Sequence, residues 1–351
     1  MTFMGQASTG RANKGQANTS LVKRSISIRL IPVFLMSVLC SPIVAAEVEE
    51  SEATGWLNKM AVSLHEQDYE GTFTYMRGSN FTAMEIAHKF QDGKELERLL
   101  QLNGEKLEIM RVDDEIVCYH ENSEHVDLDH HVPMGPFSSA FSEKLTAYQE
   151  FYRFSLHGEG RIAGRPVIKL AVSPKYSDRY GYRLWLDKET GLLLQSHLID
   201  VDTRKIREIF QFSAIRLGDA VSEDMLLSSL HADAIQHRLS GEVVNHVEDV
   251  SVKPQWRVAW VPNGFRAIQV SGSNRLHFTD GLATFSIFIE HTGAEGSGSS
   301  QSNLPAIATQ VGGTVVISRP LVGALGQITV IGEVPITTAR RVAESVEPVI
   351  Y

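Results

Sequence analysis

Short apolar segments separated by turn sequences follow one another from residue 71 onward. Gly71–Met76 and Thr82–Phe90 are predicted to be strands, and the Asp92-Gly93 and Asn103-Gly104 pairs are typical of two-residue hairpin turns. Later segments of the same kind predict five further strands, at Arg153–His157, Pro166–Ser173, Tyr182–Asp187, Leu192–Asp200 and Lys205–Ile215. Strands that are joined by hairpins pair in sequence order, so the strands between Gly71 and the turn at residues 121–123 are predicted to form an antiparallel meander.

Two segments with helical spacing accompany these strands. Trp56, Met60 and Leu64 form one face of a predicted helix over residues 55–67, and Ser138–Tyr148 is predicted as a second helix. Residues 55–217 are therefore expected to form a large antiparallel sheet with helices packed against one side. A sheet of this size must curl or close, and helices that fill its concave face only partly leave an apolar cavity.

A second, smaller strand-rich unit is predicted from Trp256 to the end of the chain. It ends in a helix that begins near Pro335, with an apolar face formed by Ile336, Ala339, Val342, Ala343 and Val346. The predicted fold class is therefore α+β: a large curved antiparallel sheet with packed helices, plus a smaller antiparallel β domain with a C-terminal helix.

The stretches outside these two units have their own interpretations. Residues 218–252 are expected to be a helical connector, over 222–240, followed by a polar linker. Thr292–Asn303 is rich in Gly and Ser and is expected to be a mobile loop.

Residues 1–46 have the pattern of a secretory signal peptide. Basic residues up to Arg29 precede the apolar segment Leu30–Leu39, and Val44-Ala45-Ala46 supplies small residues for cleavage before Glu47. The alternative is an uncleaved membrane anchor, for which the apolar segment is short. These residues hold five of the 33 basic residues and no acidic residue, which leaves 28 against 42 acidic residues, a net charge of −14 for the mature chain. An acidic chain repels phosphate backbones, so we expect no nucleic-acid partner.

Residues that could support catalysis or bind a metal form no recognised motif. One segment is rich in potential metal ligands: His120, His125, Asp127, Asp129, His130 and His131. Its spacing matches no zinc pattern, and the alternative is an exposed polar strand. Cys118 is the single cysteine of the mature chain and is interpreted as a small buried residue. With no nucleophile elbow or phosphate-binding motif either, we expect neither an enzyme nor a bound cofactor.

Aromatic and methionine side chains on neighbouring predicted strands are candidates for a ligand pocket. Alternation along a strand can place Phe73 and Tyr75 on one face. These residues would suit an ordinary core equally well, and the sharper alternative is a partly open apolar pocket for an acyl chain. The pocket hypothesis names Phe73, Tyr75, Phe81, Met84 and Trp185 as lining residues.

The second unit contains a continuous apolar run from Phe285 to Ile289. Alternation puts Phe285 and Ile287 on one face, and Ser286 and Phe288 on the other. We expect one face to pack on the terminal helix and the other to contact the first unit or a partner protein. Candidate partner-binding residues are therefore Phe285, Ile287 and Phe288.

Five stretches, spread over essentially the whole mature chain, have a familiar pattern: YEGTFTYMRG from Tyr69, YRLWLDKETGLLLQS from Tyr182, WRVAWVPNGF from Trp256, DGLATFSIFIE from Asp280 and ITVIGEVPITTARRVAESV from Ile328. In sequence and in order they resemble the RseB/MucB family, periplasmic regulators of the sigma-E envelope stress response. The resemblance implies a periplasmic, non-enzymatic regulator whose N-terminal domain is like the half-barrel of the lipoprotein carriers LolA and LolB.

The resemblance also assigns a role to each part of the chain. Residues 47–217 would sense lipid, and the periplasmic part of a membrane-anchored anti-sigma factor would bind largely to residues 253–351. Binding would shield the anti-sigma factor from proteolysis, and lipid or lipopolysaccharide would release it. The main alternative is a periplasmic carrier of lipid or lipoprotein, which would not need a second domain. An envelope hydrolase would need a nucleophile that is not evident, and a homo-oligomer is compatible with the sequence.

Overall fold

The computed structural model describes residues 42–113, 115–120, 149–218, 221–229, 235–240, 256–268, 275–291, 307–321 and 326–348. These residues form an eleven-stranded sheet, a six-stranded sheet and a two-stranded ribbon. The predicted large antiparallel sheet, and the smaller one with its terminal helix, are confirmed. The helix at Ser138–Tyr148, the loop at Thr292–Asn303 and residues 1–41 of the predicted signal peptide lie outside the described residues. Residues 42–46, the end of the predicted signal peptide, are the first turn of a helix that continues past the predicted cleavage position.

The large sheet consists of two meanders and one further edge strand. Its strands are β1 (Tyr69–Arg77), β2 (Asn80–Gln91), β3 (Lys94–Gln101), β4 (Leu107–Val112), β5 (Glu115–His120), β6 (Tyr152–Ile162), β7 (Arg165–Pro174), β8 (Gly181–Asp187), β9 (Leu193–Asp200), β10 (Lys205–Leu217) and β11 (Ile235–Ser240). Their spatial order is β11-β5-β4-β3-β2-β1-β10-β9-β8-β7-β6. The predicted meander over β1–β5 is confirmed. β1 also pairs with β10, which joins this meander to the second one, β6–β10, through the first strand of one and the last strand of the other.

The large sheet curves around a long helix, α1 (Pro42–Glu66). Three strands separate β6 from β10, yet Cα atoms of the two strands approach within 8 Å. Leu57, Met60 and Leu64 of α1 pack into the curve and share one apolar core with the sheet. We call the face that α1 covers the inner face, and the opposite one the outer face.

Helix α1 begins at Pro42 rather than at the predicted residue 55. Residues 45–54 are rich in Glu and Ala, which are strong helix formers, but they lack the apolar periodicity on which the prediction depended. Neither helix of the described residues combines the length and the apolar character that crossing a bilayer requires.

Two predicted hairpin turns have different outcomes. The β2–β3 turn is confirmed, with Asp92 at φ 54° and Gly93 at φ 78°, the left-handed pair that a tight hairpin requires. The turn at Asn103-Gly104 is wrong in length, because the β3–β4 connection runs from residue 102 to residue 106. Asn103 explains the longer loop: its side chain accepts a hydrogen bond from the Ala83 amide and donates one to the Phe81 carbonyl, which ties the loop to β2.

The predicted helical connector is wrong over most of its length. Its described residues hold one 3-10 turn, Glu223–Leu226, and strand β11, which pairs with β5. The connector instead crosses the outer face, where the Ser229 amide donates to the Glu108 carboxylate at 3.0 Å and Arg98 donates to the Met225 carbonyl. Free hydrogen-bonding groups at the edge of β5 favour a strand over the helix that the local pattern suggested.

The smaller sheet is antiparallel and has a helix on one face. Its strands are β13 (Arg266–Ile268), β14 (Arg275–Thr279), β15 (Thr284–His291), β16 (Ile307–Val311), β17 (Thr314–Pro320) and β18 (Gly326–Gly332), in the spatial order β13-β14-β15-β18-β17-β16. A ribbon of β12 (Trp256–Val258) and β19 (Val346–Pro348) stands beside it.

Helix α2 (Ile336–Glu344) packs on β17 and β18. Ala339, Val342 and Ala343 are fully buried, which confirms the predicted apolar face, whereas Val346 belongs to β19. Arg319 stabilises the end of the helix, because its Nε donates to the Ala343 carbonyl at 2.8 Å.

Candidate functional site

Three of the five predicted pocket residues lie together on the inner face. Residues directly opposite each other in antiparallel strands share a face, and Phe73 pairs with Met84, while Tyr75 pairs with Phe210. Phe73 and Met84 are buried in the core, with the Phe73 ring centroid 5.0 Å from that of Phe210. Tyr75 is half-buried and its hydroxyl donates to Glu208. Burial and the Glu208 carboxylate raise the pKa of Tyr75, so the phenol remains a donor.

The other two predicted pocket residues lie on the outer face. Phe81 pairs with Met76, one position out of phase with Phe73 and Tyr75, and it is 60% exposed. Trp185 pairs with Gln195, and its ring contacts that of His197 in a tilted arrangement, with the centroids 4.6 Å apart. The register therefore separates Phe81 and Trp185 from the inner-face cluster, and the five residues do not line one pocket.

The outer face carries a small pocket of about 280 Å³ beneath the connector. Glu70, Glu85 and Arg216 are among its lining residues, and Arg216 forms an ion pair with Glu70. Charged walls of this kind do not suit an acyl chain. The free energy needed to remove water from the charged side chains exceeds the free energy gained from contact with the chain.

The apolar run of β15 divides between two faces of the small sheet. Phe285 and Ile287 are buried in the core under α2, with Ile287 at 0% exposure. Phe288 is half-buried on the face away from α2, and the Arg275 guanidinium lies 5.5 Å above its ring. Of the three predicted partner-binding residues, only Phe288 is therefore accessible without unfolding the sheet.

The face away from α2, which we call the open face, is largely apolar and hydroxylic. The strand pairings place Phe288 on it together with Ile331, Val316, Val311 and Ile307. Val311 and Ile307, on the edge strand β16, are 42% and 51% exposed. Exposed aliphatic side chains grouped on one sheet face are typical of a protein-binding surface.

The open face approaches the large sheet at two neighbouring turns. A side chain at Gly78, in the β1–β2 turn, would lie 4.0 Å from the Val311 side chain in β16. Phe81, which is exposed, lies two residues after the β1–β2 turn. A protein that bound the open face near Val311 would reach both sheets.

A buried polar cluster joins the two sheets at the β14–β15 turn. The Arg179 and Asp280 side chains are both fully buried, with Nη1 and Oδ2 2.6 Å apart. The Tyr152 hydroxyl donates to the same Oδ2 at 2.9 Å, and Oδ1 accepts the amides of Leu282 and Ala283 at 2.9 and 2.8 Å. Burial and the Asp280 carboxylate raise the pKa of the Tyr152 phenol.

The β16–β17 turn makes a second junction with the large sheet. Glu208 accepts the Gly313 amide at 2.8 Å, while Arg77 donates to the Thr314 hydroxyl. A side chain at Gly312 would overlap Arg77 and Glu208, and one at Gly313 would overlap Leu198. Glycine at both positions is therefore what lets the turn reach the sheet this closely.

A charged cluster ties the end of α1 to the large sheet. The Glu95 carboxylate accepts hydrogen bonds from His65 and Arg111 and lies 3.2 Å from His88 Nε2. Burial raises the pKa of Glu95, but the hydrogen bonds from the two histidines and the Arg111 charge outweigh burial and lower it to about 2. His88 Nδ1 faces the Gln67 carbonyl at 2.8 Å and therefore carries a hydrogen.

The remaining chemical candidates offer no reactive centre among the residues that the structure describes. The predicted metal segment, apart from the backbone of His120, lies outside them, and within them no three His, Cys, Asp or Glu side chains are grouped as metal ligands. Cys118 is fully buried, and burial raises the pKa of its thiol, which suits the predicted core role.

Sequence reasoning missed the junction residues Arg179, Asp280 and Leu282. Asp280-Gly281 is a turn signal of the same kind as Asp92-Gly93, so the turn itself could have been found. No local pattern, however, indicates that Asp280 meets Arg179, which lies 101 positions earlier in the chain.

Comparison with known proteins gives consistent matches over both sheets. The family models for the MucB/RseB N-terminal and C-terminal domains match residues 52–230 and 250–347. The sigma factor AlgU regulatory protein MucB of Pseudomonas aeruginosa is 34% identical over 324 residues, which is 88% of this chain and 95% of that protein. The sigma-E factor regulatory protein RseB of Haemophilus influenzae is 26% identical, over 86% of this chain and 93% of that protein.

Solved structures agree with these matches. A chain of the Pseudomonas aeruginosa MucA/MucB complex superposes with a TM-score of 0.65 at 34% identity, covering 86% of this chain and all of that one. A crystal structure of MucB in complex with MucA(peri) gives a TM-score of 0.64 at 33% identity, over 85% of this chain and 100% of that chain.

Proposed function

Because the chain belongs to the MucB/RseB family, whose members are sigma factor regulatory proteins and not enzymes, we propose that it binds the periplasmic part of a membrane-anchored anti-sigma factor. Bound there, it shields the anti-sigma factor from regulated proteolysis, and a lipid or lipopolysaccharide signal releases it. The protein acts in the periplasm. Residues 1–46 are the signal peptide that directs its export and is then cleaved.

The open face of the small sheet is the observation that carries the proposal. It presents Phe288, Ile331 and Val311 to solvent, away from the core under α2. The solved complexes pair a MucB chain with MucA or MucA(peri), which is the kind of partner that such a face suits. Few charges interrupt it, so an apolar segment of the partner can be desolvated there at low cost. The partner contact thus falls largely within residues 253–351.

The inner face of the large sheet supports the lipid half of the proposal. Phe73, Tyr75 and Met84 form a largely buried apolar cluster there with one polar hydroxyl, and this chemistry suits an acyl chain with a polar end. Release requires that the lipid bind the partner-free arrangement more tightly than the partner-bound one. Residues 47–217 are therefore assigned to lipid sensing. A simple carrier would have no use for the open face.

A cleavage-protection assay tests the proposal. The mature protein is mixed with the periplasmic segment of the cognate anti-sigma factor and the protease that cuts it, with and without lipopolysaccharide. We expect slower cleavage with the protein present, and loss of protection on addition of lipopolysaccharide. Equal cleavage rates with and without the protein would show that the regulatory function is wrong.

Matched glutamate variants locate the contact. Phe288→Glu should lose protection while its thermal melt stays near that of the wild type, because Phe288 lies on the open face. Ile287→Glu should lose the fold, since an unpaired charge in a core is costly. Thr337→Glu places the same charge on the exposed side of α2 and should keep full protection. A folded Phe288→Glu protein with normal protection would rule out the open face as the contact.

A further inference from the structure

We infer that Leu282 is the residue through which an acyl ligand on the inner face controls the partner-binding sheet. The inference rests on the proposed function and adds the physical link between lipid sensing by the large sheet and partner binding by the small sheet. Leu282 lies in the β14–β15 turn of the small sheet, but its side chain is part of the core of the large sheet.

The burial of Leu282 shows how far this turn enters the large sheet. The side chain is 2% exposed and belongs to the apolar core that Phe73, Met84 and the α1 side chains form. Every other described member of that core lies between residues 53 and 217. Leu282 is thus the one described contribution of the small sheet to the interior of the large one.

The turn is built to hold Leu282 in this position. One oxygen of Asp280 accepts the Leu282 and Ala283 amides, and the other is bound by Arg179 and Tyr152 of the large sheet. Strand β15 starts two residues after Leu282, so a shift of Leu282 moves the start of the strand that carries Phe288.

An acyl chain competes with Leu282 on chemical grounds. Protein cores are close-packed, so a ligand that enters the inner face must displace a side chain of similar volume and polarity. Leu282 can leave without disrupting any strand of the large sheet, because it is attached to the other sheet. Ligand binding and docked Leu282 are therefore mutually exclusive, and the docked turn belongs to the arrangement that binds the partner.

A linked binding experiment tests the inference. A dansyl-labelled fatty acid serves as the lipid probe, and a fluorescent peptide from the periplasmic part of the cognate anti-sigma factor as the partner. In the wild type, saturating probe should weaken peptide binding by about tenfold or more, within the usual range of allosteric coupling. In Leu282→Ala, the probe should bind more tightly than in the wild type, and it should weaken peptide binding by no more than about twofold.

Two variants serve as controls. Leu321→Ala makes the same truncation in the core of the small sheet, away from the large one, and should keep the wild-type coupling. Leu282→Met restores most of the volume and should restore the coupling. A thermal melt of each variant separates loss of coupling from loss of fold.

The outcomes distinguish this inference from the proposed function. If the wild type binds neither probe nor peptide, the proposed function is wrong and the inference with it. If both bind and the probe weakens peptide binding equally in the wild type and Leu282→Ala, the inference is wrong and the function stands. Should Leu282→Ala not fold, hydrogen exchange on the wild type decides: the probe should speed exchange at the Leu282 and Ala283 amides, and unchanged or slower exchange would overturn the inference.

Discussion

Replacing Asp280 by alanine should loosen the junction between the two sheets more than it unfolds either sheet. The carboxylate lies at the centre of the buried cluster, 2.6 Å from Arg179 and 2.9 Å from the Tyr152 hydroxyl. It also shapes the β14–β15 turn by accepting the amides of Leu282 and Ala283. Alanine removes all of these hydrogen bonds and leaves two buried groups of the large sheet without this acceptor.

The size of the effect follows from which groups are left unsatisfied. Breaking a buried ion pair from one side costs about 3–5 kcal/mol. Arg179 retains Asp178, whose carboxylate lies 2.7 Å from Arg179 Nε, which places this contribution at the lower end. The Tyr152 hydroxyl, buried without its acceptor, adds about 1–3 kcal/mol. Because these contributions overlap, we expect Asp280→Ala to lower the free energy of unfolding by about 3–5 kcal/mol.

Calorimetry with regional hydrogen exchange is the suitable assay. The wild type should unfold both sheets together, whereas Asp280→Ala should unfold the small sheet first, with exchange rising over 275–291 before it rises over β1–β5. Glu159→Ala is the matched control, because its ion pair with Lys188 is exposed and worth about 0–1 kcal/mol. A loss below about 1 kcal/mol in Asp280→Ala, with a single transition, would refute this reasoning.

Three further changes have defined outcomes. Gly313→Ala should cost about 1–3 kcal/mol in denaturant unfolding, because the new methyl group overlaps Leu198, whereas Gly55→Ala, with open space around it, should be neutral or stabilising. The wild type should lose up to about 3 kcal/mol of unfolding free energy as pH falls from about 4.5 towards 2, because the pKa of Glu95 is lower in the folded state than in the unfolded state. An equally steep loss in Glu95→Gln would show that protonation of Glu95 is not the cause. Phe81→Ser should weaken anti-sigma peptide binding several-fold and leave fatty-acid binding and the thermal melt unchanged; weakened fatty-acid binding would mean that Phe81 contacts the lipid after all.

The order of strands could be predicted from the sequence better than the faces of their side chains. The Asp92-Gly93 turn and the apolar face of α2 both follow from local patterns. The face of Phe81 does not, because it depends on the β1–β2 turn having two residues, which sets Phe81 opposite Met76. One more residue in that turn would move Phe81 to the inner face, since a shift of one position exchanges the two faces of a strand.

The junction between the sheets could not be predicted for a different reason. Arginine is rarely buried, so Arg179 gives no sign in the sequence that it is fully enclosed. Its partner Asp280 has the ordinary appearance of a turn residue. Only the three-dimensional structure brings Arg179 and Asp280 together and shows that Leu282 enters the core of the large sheet.

The pairing of β11 with β5 affects how this protein can be divided for gene fusion or domain exchange. A fragment that ends at Leu217 contains both meanders, but it lacks the strand that covers the edge of β5. An uncovered edge recruits other chains, so such a fragment would be prone to aggregate even if its core were intact. The natural point of division therefore lies after Ser240, and a recombination event that separated the two sheets would have to carry the connector along with the first.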